Sequence, residues 1–234
     1  INDSELVVGA AFFEPNVISA GIYTNGEWSQ LIIGNEQGQG IRSVAMNLNN
    51  SNTIVGVASS GTDDSSPLNG FVYQAGSVKL LETLGGTHSF AMDINEHNVV
   101  VGNSSTEFHE SHAAMWVNNQ VIDLGTLAGG NSEARAINDF GIVVGYSNQK
   151  AFIFENGEMK DLNSYFPNSS DWILMGAEDI NNRGQIIGYG ELNGQIRGFI
   201  LTPVLFVSEP KSLALIMIGL SVLVFFFYRN NGLS

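Results

Sequence analysis

Apolar residues in this chain come in short runs of branched side chains, punctuated every few positions by Asn, Asp or Gly. The cleanest run is Ile137 to Gly145 (INDFGIVVG). An apolar residue and Asn open it, a turn follows, and a branched apolar pair leads to Gly. The same frame recurs as INDSELVVG from Ile1, LNNSNTIVG from Leu48, INEHNVVVG from Ile94 and INNRGQIIG from Ile180, with starts 47, 46, 43 and 43 residues apart. The recurring Asn positions are Asn2, Asn49, Asn95, Asn138 and Asn181. The recurring glycines are Gly9, Gly56, Gly102, Gly145 and Gly188. A fixed period of this size marks a repeat architecture.

One period predicts four strands. Ser132 to Asn138 reads as a short strand of small residues, and Asn138-Asp139-Phe140-Gly141 as a tight turn, because Asn and Asp bond their own main chain and Gly takes positive φ freely. Ile142 to Ser147 is β-branched and apolar, which favours a strand. Lys150 to Phe154 follows, then Asn156-Gly157, a strong hairpin signal, and Glu158 to Leu162. Asn163 to Asp171 reads as a loop before the next unit. The branched pair is expected to fill the space between sheets. The repeat Gly is expected to end its strand, and Gly and Ala at the small positions to let neighbouring sheets approach closely.

Four short strands per period, with no helical periodicity, predict an all-β fold: a β-propeller of about five four-stranded blades, or a fragment of a larger one. A sheet this small cannot bury both faces alone, and stacking supplies the missing burial. The first unit lacks its leading strand and the last stops after its third, at Leu201. Either three-stranded end blades close the ring, or upstream blades are missing, or the units form a linear array.

Residues 120–147 (QVIDLGTLAGGNSEARAINDFGIVVGYS) closely resemble the HAF-type extracellular repeat of bacteria. Residues 80–103 and 180–200 resemble it well and residues 1–46 loosely. The resemblance covers roughly 1–204. It implies an exported, propeller-like repeat domain with no established activity.

Beyond Pro203 the composition changes. Residues 205–212 form a linker containing Ser208-Glu209-Pro210, and 213–229 an apolar segment with a basic end at Arg229. The run from Leu213 to Tyr228 would make a helix of about 24 Å, against a hydrocarbon core of roughly 30 Å. It predicts a C-terminal transmembrane helix, spanning with local thinning of the bilayer. The tail resembles the PEP-CTERM sorting signal, with the first Pro of its motif replaced and a single Arg where several are usual. That resemblance implies a tether in the inner membrane and an exosortase-type processing enzyme as partner. The body would then lie outside the cytoplasm or be released to the surface, with envelope polysaccharide as a further expected partner. The chain opens on Ile inside a repeat and reads as a fragment or trimmed product.

Net charge is −14 and pI about 4.4. Such a surface repels phosphate backbones, so no nucleic-acid partner is expected. The absence of Cys excludes disulfides, Cys-based zinc sites and Cys nucleophiles together.

Candidate chemistry is thin. His109-Glu110-Ser111-His112 is one residue short of the zincin spacing and sits at a loop-to-strand junction. Asp139-Phe140-Gly141 matches a kinase magnesium motif only by letters, without its companions. Residues 61–66 (GTDDSS) carry hard-cation ligands without the full calcium-loop spacing. Asp123 and Asp161, with Glu82 in a third unit, are matched by the repeat and not by catalysis. No catalytic, cofactor or metal site is expected, and the predicted function is a non-enzymatic exported envelope repeat protein. The alternatives are a glycan- or calcium-binding propeller using residues around Trp28, Trp116 and Asp63-Asp64, and a propeller lyase or hydrolase.

Overall fold

A computed structural model describes residues 1–14, 17–33, 42–59, 61, 65–118, 120–167 and 170–203. The predicted tail therefore lies outside the described residues: the 205–212 linker, the sorting positions Ser208, Glu209, Pro210 and Arg229, and the apolar 213–229 segment. So do Asp63 and Asp64. Among the described residues no helix is long and apolar enough to cross a membrane.

The described chain is all-β and folds as five small antiparallel sheets, one per repeat. Sheet 1 holds β1 (Val7–Glu14), β2 (Val17–Thr24) and β3 (Glu27–Gln30). Sheet 2 holds β4 (Ser43–Leu48), β5 (Ile54–Ser59), β6 (Leu68–Gln74) and β7 (Ser77–Leu80). Sheet 3 holds β8 (Gly85–Ile94), β9 (Val100–Thr106), β10 (Ser111–Val117) and β11 (Gln120–Gly125). Sheet 4 holds β12 (Ser132–Ile137), β13 (Val143–Ser147), β14 (Lys150–Glu155) and β15 (Glu158–Asp161). Sheet 5 holds β16 (Trp172–Ile180), β17 (Ile186–Leu192) and β18 (Gln195–Leu201). Four strands per unit thus hold for the three inner sheets, and the two end sheets have three, as their truncated frames predict. The stretch read as loop after β15 opens with a 3-10 turn, Leu162–Tyr165, capped by the Asp161 carboxylate accepting from the Asn163 N–H.

Each contact between successive sheets has its own apolar cluster. Ala20 and Leu31 of sheet 1 meet Ile54 and Phe71 of sheet 2. Val55 meets Ala91, Val100 and Trp116. Val101 and Ala113 meet Val143 and Phe152, and Val144 and Ile153 meet Ile186 and Phe199. The branched pair supplies both sides of this arrangement. Adjacent residues of a strand point to opposite faces, so Val143 packs back on sheet 3 while Val144 packs forward on sheet 5.

The repeat glycine does not end its strand. Gly145 lies inside β13, paired with Ala134 and Phe152. Its missing side chain serves a close approach within the sheet, not between sheets. A Cβ there would stand 2.0 Å from the Glu133 carbonyl oxygen, and at Gly102 1.9 Å from that of Phe90. Gly56 and Gly188 meet the same obstacle, at 2.1 Å from Val44 and Gly176 oxygens. Each first strand is bulged beside this point, between Ala45 and Asn47, Ala91 and Asp93, Ala134 and Ala136, and Ala177 and Asp179. The bulge pushes a carbonyl toward the second strand, and only glycine leaves room for it. Gly9 belongs to the sheet with no leading strand, and its nearest neighbour would be the Trp28 ring at 3.4 Å.

Candidate functional site

The densest ordered polar arrangement is the row of Asn turns along one rim of the sheets. In each turn the Asn side-chain oxygen accepts two backbone N–H groups, from the second and fourth residues onward. For Asn95 these are His97 at 3.0 Å and Val99 at 3.0 Å; for Asn138, Phe140 at 3.1 Å and Ile142 at 3.0 Å. The third residue onward takes left-handed φ: Glu5 at 59°, Asn52 and Asn98 at 58°, Gly141 at 76° and Gly184 at 72°. This is the chain reversal expected of Asn.

The amide nitrogen has a second task that the pattern alone did not disclose. Asn2 Nδ2 donates to the Asn49 carbonyl at 3.1 Å, Asn49 to Asn95 at 3.1 Å, Asn95 to Asn138 at 3.1 Å, and Asn138 to Asn181 at 3.3 Å. A parallel row runs beside it. The N–H of Asp3 donates to the Asn50 side chain, Asn50 to Glu96, Glu96 to Asp139 and Asp139 to Asn182, at 2.9 to 3.1 Å. The inner three Asn are 3 to 5 % exposed, so these bonds form away from competing water. Buried serines repeat the theme deeper in: Ser43, Ser89 and Ser132 accept from the N–H groups of Ala20, Gly70 and Ala113 in the preceding sheet.

No known family pattern, characterised protein or solved structure matches the chain.

The other candidates resolve as follows. Asp139-Phe140-Gly141 is a turn, with Phe140 74 % exposed. His112 Nδ1 lies 2.9 Å from Asp123, and Lys150 Nζ 3.2 Å from Asp161. A cationic or imidazole side chain at the head of the third strand thus meets Asp on the fourth in two units, a repeat-level pair as the matched positions imply. Glu110 stands 3.4 Å from His112 Nε2, while His109 sits in a turn at φ 64°. Among the described residues no group of three or more His, Asp or Glu could hold a metal ion. Trp116, expected near a binding surface, is a core residue, 2 % exposed, with its indole N–H donating to the Glu82 carbonyl at 2.9 Å. Trp28 stays at the surface but lies over Gly21 and Gly9.

Two further features were not legible in the sequence. Asp93 sits at the end of β8 and accepts from Asn47 Nδ2 at 2.6 Å, Ile137 N–H at 2.8 Å and Ile94 N–H at 2.8 Å. Burial pushes its carboxyl up to about 6, the negative charge of Asp179 adds to the rise, and the three hydrogen bonds oppose it. A cleft of about 290 Å³ between sheets 4 and 5 is lined by Lys150, Asp161, Asn163, Phe166, Trp172 and Ile173. Between the same two sheets, Arg135 bridges Glu133 at 2.6 Å and Glu178 of sheet 5 at 3.0 Å, and Tyr146 donates to Glu133 at 2.7 Å. Burial, with the Glu133 carboxylate, lifts the Tyr146 phenol to about 12, so it stays protonated.

Proposed function

We infer that this chain is a non-enzymatic repeat scaffold exported to the bacterial cell envelope. One observation carries the scaffold reading: the polar residues that recur in every unit are engaged in joining one sheet to the next, through the Asn2–Asn49–Asn95–Asn138–Asn181 row. The sheets form blades of a propeller-type arrangement. Support for this comes from the first strands, where β4, β8, β12 and β16 adjoin one another while the outermost strands scarcely meet. It also comes from Asp93 of sheet 3 feeling the charge of Asp179 of sheet 5 across an intervening sheet. Both follow if the sheets radiate from a common axis.

The envelope address rests on the resemblance of residues 1–204 to the HAF-type repeat and of the tail to a sorting signal. In this reading residues 213–228 tether the body to the membrane, and an exosortase-type enzyme cuts near Ser208 to Lys211. Fractionation and intact-mass measurement of the protein from its native host test it. A membrane or surface protein ending at Ser234 or near Lys211 is expected; a full-length protein in the cytosol would refute it.

A second reading, glycan binding, is favoured by the cleft beside Trp172. An aromatic wall flanked by Lys150, Asp161 and Asn163 suits a sugar's apolar face and hydroxyls. Calorimetry against an envelope-polysaccharide panel decides it: heat that disappears in Trp172→Ala supports the reading, and flat traces dismiss it.

A further inference from the structure

The interface between sheets 2 and 3 departs from the pattern of the interfaces that follow it. In sheets 3 and 4 the residue before the second strand is Val99 or Ile142, and each packs into the apolar cluster against the next sheet. Sheet 2 has Thr53 there, 1 % exposed. On the third strand, Met115 and Ile153 face the next sheet, and sheet 2 has the smaller Val72. That strand ends on Val117 in sheet 3 and on Gln74 in sheet 2. Sheet 3 differs in turn on the face that meets sheet 2. Ala114 stands opposite its repeat glycine, where sheets 2, 4 and 5 have Phe71, Phe152 and Phe199.

These exchanges of bulk for polarity coincide with a cleft of about 210 Å³ at the Asn-turn rim. Its walls are apolar, with Val72 on one side and Val100 and Trp116 on the other. The Trp116 N–H is spent on the Glu82 carbonyl at 2.9 Å, so the indole offers surface and no donor. The mouth is formed by the exposed amides of Gln74, Asn98 and Asn118. Gln74 Nε2 donates to Thr53 Oγ1 at 3.0 Å, which leaves the Gln74 oxygen as an acceptor. Asn98 Oδ1 accepts from Asn49 Nδ2 at 3.0 Å, which leaves the Asn98 nitrogen as a donor. The Asn118 side chain makes no hydrogen bond among the described residues and supplies both. No charged side chain lines the cleft among the described residues, in a chain of net charge −14.

We propose that this cleft binds one uncharged pyranose ring. The ring's apolar face lies on the Val72, Val100 and Trp116 walls, and its hydroxyls bond the amides at the mouth. A charged sugar would give up hydration for a site that offers no opposite charge. The volume lies below the roughly 300 Å³ at which pockets for larger ligands begin, so the cleft holds one ring and not a chain. It lies between different sheets from the cleft beside Trp172 and does not rest on that reading.

Saturation-transfer NMR tests the proposal with the methyl glycosides of glucose, galactose, mannose and N-acetylglucosamine. The full chain is used, in a detergent without a sugar headgroup. At least one neutral glycoside should receive saturation, and methyl glucuronide at the same concentration should receive several-fold less. In a linear trisaccharide of the sugar that binds, saturation should concentrate in one unit. The T53V/Q74V chain gives sheet 2 the valines that sheet 3 carries at these positions, and should weaken binding about tenfold by removing a hydrogen-bonding edge. Asn118→Gly suits the φ of 50° there and removes only an exposed amide, so it keeps the test open if the double variant unfolds. It should weaken binding about fivefold. The proposal is overturned if no neutral glycoside receives saturation, or if the glucuronide receives as much as the neutral sugars. Saturation spread evenly over the trisaccharide would overturn it too. So would equal transfer in the parent and a folded variant, which would put the binding elsewhere, the cleft beside Trp172 included.

Discussion

The two end sheets face the same problem and meet it differently. Among the described residues no sheet packs on the outer face of sheet 1, and that sheet covers part of the face itself. Where sheets 2, 4 and 5 place Phe71, Phe152 and Phe199 opposite the repeat glycine, sheet 1 has Gly21 opposite Gly9. Trp28 and Phe13 swing across the space that this leaves, each 3.0 Å from where a Gly21 Cβ would be. Tyr23 stacks obliquely on Trp28 at 5.5 Å between centroids. Among the described residues sheet 5 has no such device, and Ile187, Tyr189, Ile196 and Ile200 lie exposed on the face turned away from sheet 4. Among the described residues the same repeat frame thus yields one outer face partly covered from within and one without that cover. Substitutions at positions that meet no neighbouring sheet among the described residues should cost far less than the same substitutions inside.

Glycine gives the largest expected contrast. Gly102→Ala forces a methyl group against a backbone carbonyl and should destabilise by about 3 kcal/mol or more, read from urea unfolding. Gly9→Ala, with no leading strand beside it, should stay within about 1 kcal/mol. Equal costs would mean the bulge is not what demands glycine.

Asparagine is next. Asn95→Asp keeps the oxygen that shapes the turn but turns the donor to Asn138 into an acceptor facing a carbonyl, at a cost of about 3 kcal/mol. Among the described residues Asn181 Nδ2 reaches only its own Gln185, so Asn181→Asp should cost about 0.5 kcal/mol or less. A large effect at Asn181 in the isolated monomer would erase the distinction between inner and end units.

Asp93 offers a test by pH. Its folded carboxyl titrates near 6 against an ordinary 3.8, so between those values the folded chain holds more protons than the unfolded one. Its contribution therefore falls as pH rises through that window, by at most about 3 kcal/mol. Unfolding of the parent relative to Asp93→Asn, followed from pH 4 to 7, should show this decline; a flat difference would remove it. Trp28→Ala, which uncaps sheet 1, should cost about 1–2 kcal/mol in thermal unfolding. His112→Ala, which breaks a surface pair with Asp123, should cost about 0.5 kcal/mol or less.

Much of this fold could be read from the chain because its information is local. A period near 45, a branched pair and an Asn turn each express themselves within a few residues, so the strands around Ser132 to Asp161 fall where the pattern puts them. The clamps could not be read. Asn95 looks like a turn residue whether or not its amide reaches Asn138, because that reach joins residues 43 apart. Gly145 reads as punctuation unless the bulge opposite it is known. Trp28 and Trp116 are the same residue type in adjoining strands of similar units, yet one caps an end and the other fills a core, since burial depends on which sheet lies beyond. The candidate cleft beside Trp172 is built by the 3-10 turn at Leu162–Tyr165, which carries no strong signal of its own.

The Asn row bears also on how such a chain changes length. Each link uses a side chain of one unit and a main-chain oxygen of the next, and the main-chain oxygen is present whatever residue follows. A duplication or loss of one whole unit in the gene would place an intact donor opposite an intact acceptor at the new junction. This link needs no compensating substitution, so it sets no limit of its own on the number of units.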